Sequence, residues 1–196
     1  MQSNYRKRLA GKRSQHSGAL FEEMINTACR YYERLGFCAI DKTPEDMKVL
    51  RQHEIPGQFV ACFTKQAQPD YKGILADGTM ILFDAKHTDS DRIRRSVITD
   101  TQEACFDRYE RFGARCYIVV SLGFEHFFRV PWDHFRDMKH RLGHLYMNRE
   151  ELGPYEVKRQ QGVLKILDGI ELKGEDDDQD MPDMQQEICE PAGAEP

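Results

Sequence analysis

The sequence predicts a mixed α/β domain, with helices arranged around a central sheet. Three observations predict it. Apolar residues recur at helical spacing over residues 17–35. Six short strand-like stretches follow, two of them joined by the turn pair Asp77-Gly78. A second helical pattern, over residues 100–112, falls between the fourth of these stretches and the fifth.

Each element has its own reason. Ser17 can cap the first helix and Gly36 lies just past its end. Leu20, Met24, Ala28, Tyr31 and Leu35 share one helical face, with Phe21, Ile25 and Tyr32 beside them. A short strand is expected at 37–40. Residues 43–57 are polar and hold Pro44 and Pro56, so they form a long excursion and not a tight turn. Strands are expected at 58–64, 71–75 and 79–86. Gly113 ends the second helix. Two more strands, 116–121 and 126–130, precede a last helix opened by Pro131. No internal repeat is visible.

The chain has 196 residues, enough for one domain with a real core. Its 40% hydrophobic and 31% charged content suits a soluble globular protein. No stretch reaches the roughly 20 apolar residues of a membrane span. The basic start has no apolar run behind it, so it does not read as a secretory signal. The cysteines, Cys29, Cys38, Cys62, Cys105, Cys116 and Cys189, contain no C-x-x-C pair and mostly lie in apolar stretches. They read as buried thiols in a reducing cytoplasm.

The net charge of -5 hides a division. Residues 174–196 hold nine acids and no Lys or Arg, which leaves 28 bases against 24 acids in the rest. Arg6, Lys7, Arg8, Lys12 and Arg13 crowd the first 17 residues. Both ends read structurally as solvated segments, and the sign pattern suits a protein that meets a polyanion. The expected organisation is a basic flexible arm (1–16), a main domain (17–150), a C-terminal extension (151–173) and an acidic disordered tail (174–196).

Chemistry concentrates at the end of the 79–86 strand. Side chains alternate across a strand, so Asp84 and Lys86 face one side while Phe83 and Ala85 face the other. Asp70, reached through the Asp77-Gly78 turn, can approach Asp84. Two carboxylates and a few waters suit Mg²⁺, with Mn²⁺ as a substitute. Lys86 can orient a water or stabilise charge on a phosphate. The pattern D-x(13)-D-x-K is weak as spacing alone, and on spacing alone an exposed ion pair on an edge strand is the better reading. For an acid on the first helix, periodicity does not choose between Glu22 and Glu23, since each lies beyond one edge of the apolar stripe.

In their order, several motifs resemble one family. Gly18-Ala19-Leu20-Phe21-Glu22 is similar to a G-x-x-F-E helix, Lys42-Thr43-Pro44 to K-x-P, Pro69-Asp70-Tyr71-Lys72-Gly73 to T-D-Y-x-G, and Phe83-Asp84-Ala85-Lys86 to F-E-A-K. Gln102 falls where a glutamine opens the next helix. Over about residues 16–135 the chain resembles the RecU-like Holliday-junction resolvases of the PD-(D/E)-x-K nuclease superfamily. Asp84 replaces a Glu of that pattern, and Gln68-Pro69 replaces Ser/Thr residues.

The resemblance implies a restriction-endonuclease-like fold and a magnesium-dependent endonuclease, a homodimer that nicks four-way (Holliday) DNA junctions symmetrically in recombination and repair. It implies Asp70 and Asp84 as metal ligands, with Lys86, Glu22 and Gln102 in catalysis. It makes the 43–59 excursion a stalk directed at the junction centre, with Lys48, Arg51 and His53 on phosphates. Without the resemblance that segment reads as a mobile surface loop. Arg92, Arg94 and Arg95 form a phosphate-contact patch or a solvated loop.

The implied site of action is the bacterial cytoplasm, at the nucleoid or from a phage, with no membrane partner and with a recombination protein as the tail's candidate partner. Alternatives are another nuclease of the superfamily with a different substrate, or a non-catalytic DNA-binding protein of the same fold. His140 and His144, at i,i+4, read as a surface pair, since no third zinc ligand is evident. Asp176–Glu187 mimics a calcium loop but has Met181 where glycine is needed. Phe127, Phe128 and Trp132 read as core residues.

Overall fold

The computed structural model describes residues 2–44, 47–56, 58–63 and 68–173. Five strands form the central sheet: β1 (Cys38–Lys42), β4 (Tyr71–Leu75), β5 (Met80–Thr88), β7 (Arg115–Leu122) and β8 (His126–Pro131), adjacent in that order. β5 and β7 run parallel; the other neighbours run antiparallel. The parallel step needs a crossover, and α2 (Asp100–Glu110) supplies it. This is the mixed sheet flanked by helices that the sequence predicts.

Both faces of the sheet are covered, which explains the unbroken apolar run at the start of β5. Ile81 and Phe83 enter a core with α1 (Gln2–Arg34), and Leu82 enters a second core with Phe106, Ile118 and Trp132 on the opposite face. Phe127, Phe128 and Trp132 are buried, as expected.

The first helix differs from expectation in two ways. It begins at Gln2, so Ser17 lies within it and does not cap it. The 1–16 arm, expected to be flexible, extends α1 over residues 2–16, a stretch without proline and with several good helix formers. The buried face is also rotated from the leucine-centred stripe. Phe21, Ile25, Ala28, Cys29 and Tyr32 are buried, while Leu20 and Leu35 are exposed. At 100° per residue, Glu22 then stands roughly 75° from the centre of the buried face and Glu23 roughly 175° from it.

The 43–59 segment is one arm of a hairpin. β2 (Met47–Gln52) pairs antiparallel with β3 (Phe59–Phe63), in a two-stranded sheet separate from the central one. The strand expected at 58–64 is therefore the hairpin's return and takes no place in the main sheet. The Pro131 helix breaks at Asp137 into α3 (Trp132–Arg136) and α4 (Met138–Leu142), and β9 (Tyr146–Asn148) pairs with β6 (Arg92–Arg94). Gly143, at φ 84, ends α4, so His144 lies beyond the helix and bonds Tyr146 and Glu151.

Residues 151–173 belong to the fold. α5 (Arg149–Leu152) leads to a tight hairpin of β10 (Arg159–Gln160) and β11 (Val163–Leu164). Leu164, Ile166, Leu167 and Ile170 are buried in the α1 core. Tyr32 donates to Asp168 at 2.6 Å, and Arg129 donates to the carbonyls of Ile166 and Asp168. Cys29, Cys38, Cys105 and Cys116 are buried free thiols, but Cys62 on the hairpin is exposed. The calcium-like stretch, Cys189 and the acidic tail lie outside the described residues.

Candidate active site

Local chain geometry builds the site. The turn at Asp77-Gly78, with Gly78 at φ 78, folds β4 back on β5 and pairs Tyr71 with Phe83. That register sets Asp70 beside Asp84. The Asp70 N–H donates to Asp84 Oδ1 at 2.9 Å, and the Ala85 N–H donates to Asp70 Oδ2 at 3.0 Å. Asp84 thus holds the backbone of Asp70, and Asp70 holds the backbone of the residue after Asp84. The β1 end is held equally closely. A Cβ on Gly73 would lie 2.1 Å from the Ala39 carbonyl oxygen, so only glycine lets β1 approach β4 here. Thr43 N–H then donates to the Asp70 carbonyl at 2.8 Å.

Asp84 is fully buried. Its Oδ2 accepts from Gln102 Nε2 at 3.0 Å and contacts Lys86 Nζ. Gln102 is fixed at its other end: its Oε1 accepts from the N–H of Thr99, and Thr99 Oγ1 accepts from the N–H of Gln102. This reciprocal cap opens α2 and aims the Gln102 amide at the acid. Lys86 Nζ also lies 3.8 Å from Asp70 Oδ2.

The electrostatics follow. Burial and the adjacent Asp84 carboxylate push the Asp70 carboxyl up to about 6. Burial works against the Lys86 ammonium, but Asp84 and Asp70 outweigh it and raise its pKa above the ordinary lysine value. Lys86 therefore keeps its proton, as a hydrogen-bond donor and a fixed positive charge. Two crowded carboxylates with hard oxygen donors fit a divalent cation. Among the described residues no three His, Cys, Asp or Glu side chains are gathered to hold a metal.

The structure separates the two glutamates. Glu23 faces outward and pairs with Arg30 on its own helix at 3.0 Å. Glu22 faces β1, where Lys42 Nζ lies 2.6 Å from its Oε2, and its charge helps hold Lys86 protonated. Tyr71 donates its hydroxyl to the Glu22 carbonyl at 3.1 Å and lies 2.9 Å from Asn26 Oδ1. Lys42 and Tyr71 were visible as motif letters, but their partners depend on β1 and α1 meeting over β4.

The remaining candidates lie apart from this cluster. Lys48 and Arg51 are three residues apart, a spacing that would put them on opposite faces of a regular strand. A bulge between Val49 and Arg51 restores them to one face, opposite Cys62 and Val60. Met47, Val49 and Phe59 line the other face, all exposed. His53 is exposed and accepts from the Ile55 N–H. Arg92 and Arg94 are exposed on β6 around buried Ile93. Arg92 stands over the Tyr146 ring at 5.1 Å. Arg95 is only 13% exposed: it pairs with Glu103 at 2.7 Å and covers Trp132. The three arginines line one hollow with Tyr146 and Asp100.

A family model described as RecU, recombination protein U, matches residues 16–171. Among solved structures, the chain is similar to Hjc of Archaeoglobus fulgidus, a Holliday junction resolvase from an archaeal hyperthermophile. That likeness has a TM-score of 0.44 at 14% identity and covers 70% of this chain and 93% of the other. No curated protein matches the chain.

Proposed function

Because the chain belongs to the recombination protein U family, and so carries a junction-resolving nuclease role, we propose that it cleaves four-way DNA junctions as a Mg²⁺-dependent homodimer, by paired symmetric nicks. The observation that carries this reading is the Asp70–Asp84–Lys86 cluster, in which two carboxylates and an ammonium meet at one strand end. Asp70 and Asp84 are the metal ligands. A divalent cation, which these two carboxylates would hold, would supply polarisation of the phosphoryl group and a more acidic water. Lys86 donates to the attacking water and to charge growing on the phosphate. Gln102 keeps Asp84 oriented, and Glu22 is the third acid at the edge.

A two-fold dimer presents two such sites in matching polarity, which symmetric nicking requires. Lys48, Arg51 and His53 on the β2–β3 hairpin, with Arg92 and Arg94, contact phosphates. Arg95, tied to Glu103 and Trp132, supports that patch from beneath. The hairpin's apolar face suits the open centre of a junction, where base faces are exposed. The test is incubation with a four-way junction and with a matched linear duplex, in Mg²⁺ or EDTA. Paired nicks in the junction alone, and only with Mg²⁺, are expected. Cleavage in EDTA, or equal cleavage of both substrates, would contradict the reading.

A further inference from the structure

We propose that Lys42 is a positioning residue for cleavage: it holds the Glu22 carboxylate at the edge of the Asp70–Asp84–Lys86 cluster. The proposal rests on the nuclease reading above and adds a residue to it.

Three separate devices bring Lys42 to this place. Its register opposite Tyr71 ends β1 beside Asp70. Gly73 lets β1 lie close against β4. The Thr43 N–H ties the next residue to the Asp70 carbonyl. Glu22 arrives from the other side, its backbone gripped by the Tyr71 hydroxyl. The two side chains meet at 2.6 Å, with Lys42 41% and Glu22 32% exposed.

Such a half-exposed pair contributes little to stability. Fixing a lysine side chain costs entropy of comparable or larger size. The fold therefore has little need of the pair, although α1, β1 and β4 all converge to make it. Charge gives it a use. Asp70, Asp84 and Glu22 oppose Lys86 alone if Lys42 is removed, an excess of negative charge facing a phosphate backbone. With Lys42 in place, the excess is small enough for one divalent cation to reverse. Lys42 also restrains a glutamate whose three side-chain torsions would otherwise let it swing into solvent.

The test compares Lys42→Gln, Lys42→Met, Lys42→Arg and Glu22→Gln, and the double variant Glu22→Gln/Lys42→Gln, with the wild type. The full chain is used. Junction cleavage is measured in single turnover with Mg²⁺, and junction binding in EDTA. Thermal unfolding confirms the fold of each variant.

Lys42→Gln and Lys42→Met are expected to lower the saturating rate by about ten- to a hundredfold, the usual cost of misplacing a reacting group. Metal-free junction affinity should change by less than about threefold, because Lys42 is engaged by Glu22 and not by a phosphate. Lys42→Arg, which keeps charge and a carboxylate contact, should recover most of the rate. The double variant should be no slower than Glu22→Gln alone.

Unchanged rates in both neutral variants overturn the proposal. So does a loss confined to affinity, which makes Lys42 a plain phosphate contact, and so do losses that multiply in the double variant. Wild-type protein that leaves the junction uncut contradicts the nuclease reading itself, a different result from any of these.

Discussion

Replacing Gln102 with methionine removes both ends of its hydrogen bonding while keeping its length. One end donates to the buried Asp84 carboxylate and the other accepts from the Thr99 N–H that opens α2. A hydrogen bond to a charged group contributes about 1.5–3 kcal/mol, and the neutral bond at the cap about 0.5–1.5 kcal/mol. The expected loss is roughly 2–4 kcal/mol, which at this chain length lowers Tm by about 4–16 °C. Asp84 keeps the Asp70 N–H and Lys86 as partners, so the fold survives and the acid is loosened. Mg²⁺ should restore part of the Tm, because a cation compensates the carboxylate that lost its donor. Thermal unfolding in EDTA and in Mg²⁺, alongside cleavage of a four-way junction, reads both effects. A Tm within about 1 °C of wild type in EDTA would refute the reasoning, since a buried charged group cannot lose a real hydrogen bond without cost.

The remaining predictions address the frame, the hairpin and the acid pair. Gly73→Ala forces a Cβ against the Ala39 carbonyl and the Ile40 backbone; it should destabilise by about 1–3 kcal/mol, and an unshifted Tm would contradict the close approach. Replacing residues 45–66 with a short Gly/Ser link should leave a folded protein with weak preference for junctions, measured by competition between labelled junction and excess duplex; unchanged preference means the hairpin is passive. In EDTA, the raised Asp70 value means the folded state binds that proton more tightly than the unfolded chain. Wild type should therefore gain stability relative to Asp70→Asn as pH falls from 7 to 5, and a wild type that loses stability relative to the variant over this range would contradict the crowding of the two acids.

The sequence made the centre of the site legible because its determinants are local. A two-residue turn and strand alternation suffice to bring Asp70, Asp84 and Lys86 together, and the structure adds only the clasp of backbone N–H groups. The acid on α1 was harder. The face of Leu20, Met24, Ala28, Tyr31 and Leu35 lies too far round the helix, whereas the sheet selects the flanking Phe21, Ile25 and Tyr32. Weighted by those residues, the same periodicity puts Glu22 at the rim and Glu23 outside. The hairpin was legible as an excursion, but not its return strand, because residues 59–63 are as apolar as a core strand. The bulge that aligns Lys48 with Arg51 depends on cross-strand pairing. Residues 163–170 read as part of a C-terminal extension, since Leu164, Ile166 and Leu167 are a short apolar run without periodicity until α1 supplies their partner surface.

The central claim is that Asp70 and Asp84 form the metal site of a junction-cutting nuclease, and one comparison tests it most directly. Asp70→Asn keeps the size of the side chain and removes one of two crowded charges, so the protein stays folded. Junction binding in EDTA and junction cleavage in Mg²⁺ are measured for wild type and variant side by side. The account predicts metal-free binding within about threefold of wild type, with cleavage reduced by at least about a hundredfold. Wild-type cleavage rates in the Asp70→Asn protein at the same Mg²⁺ concentration would contradict it.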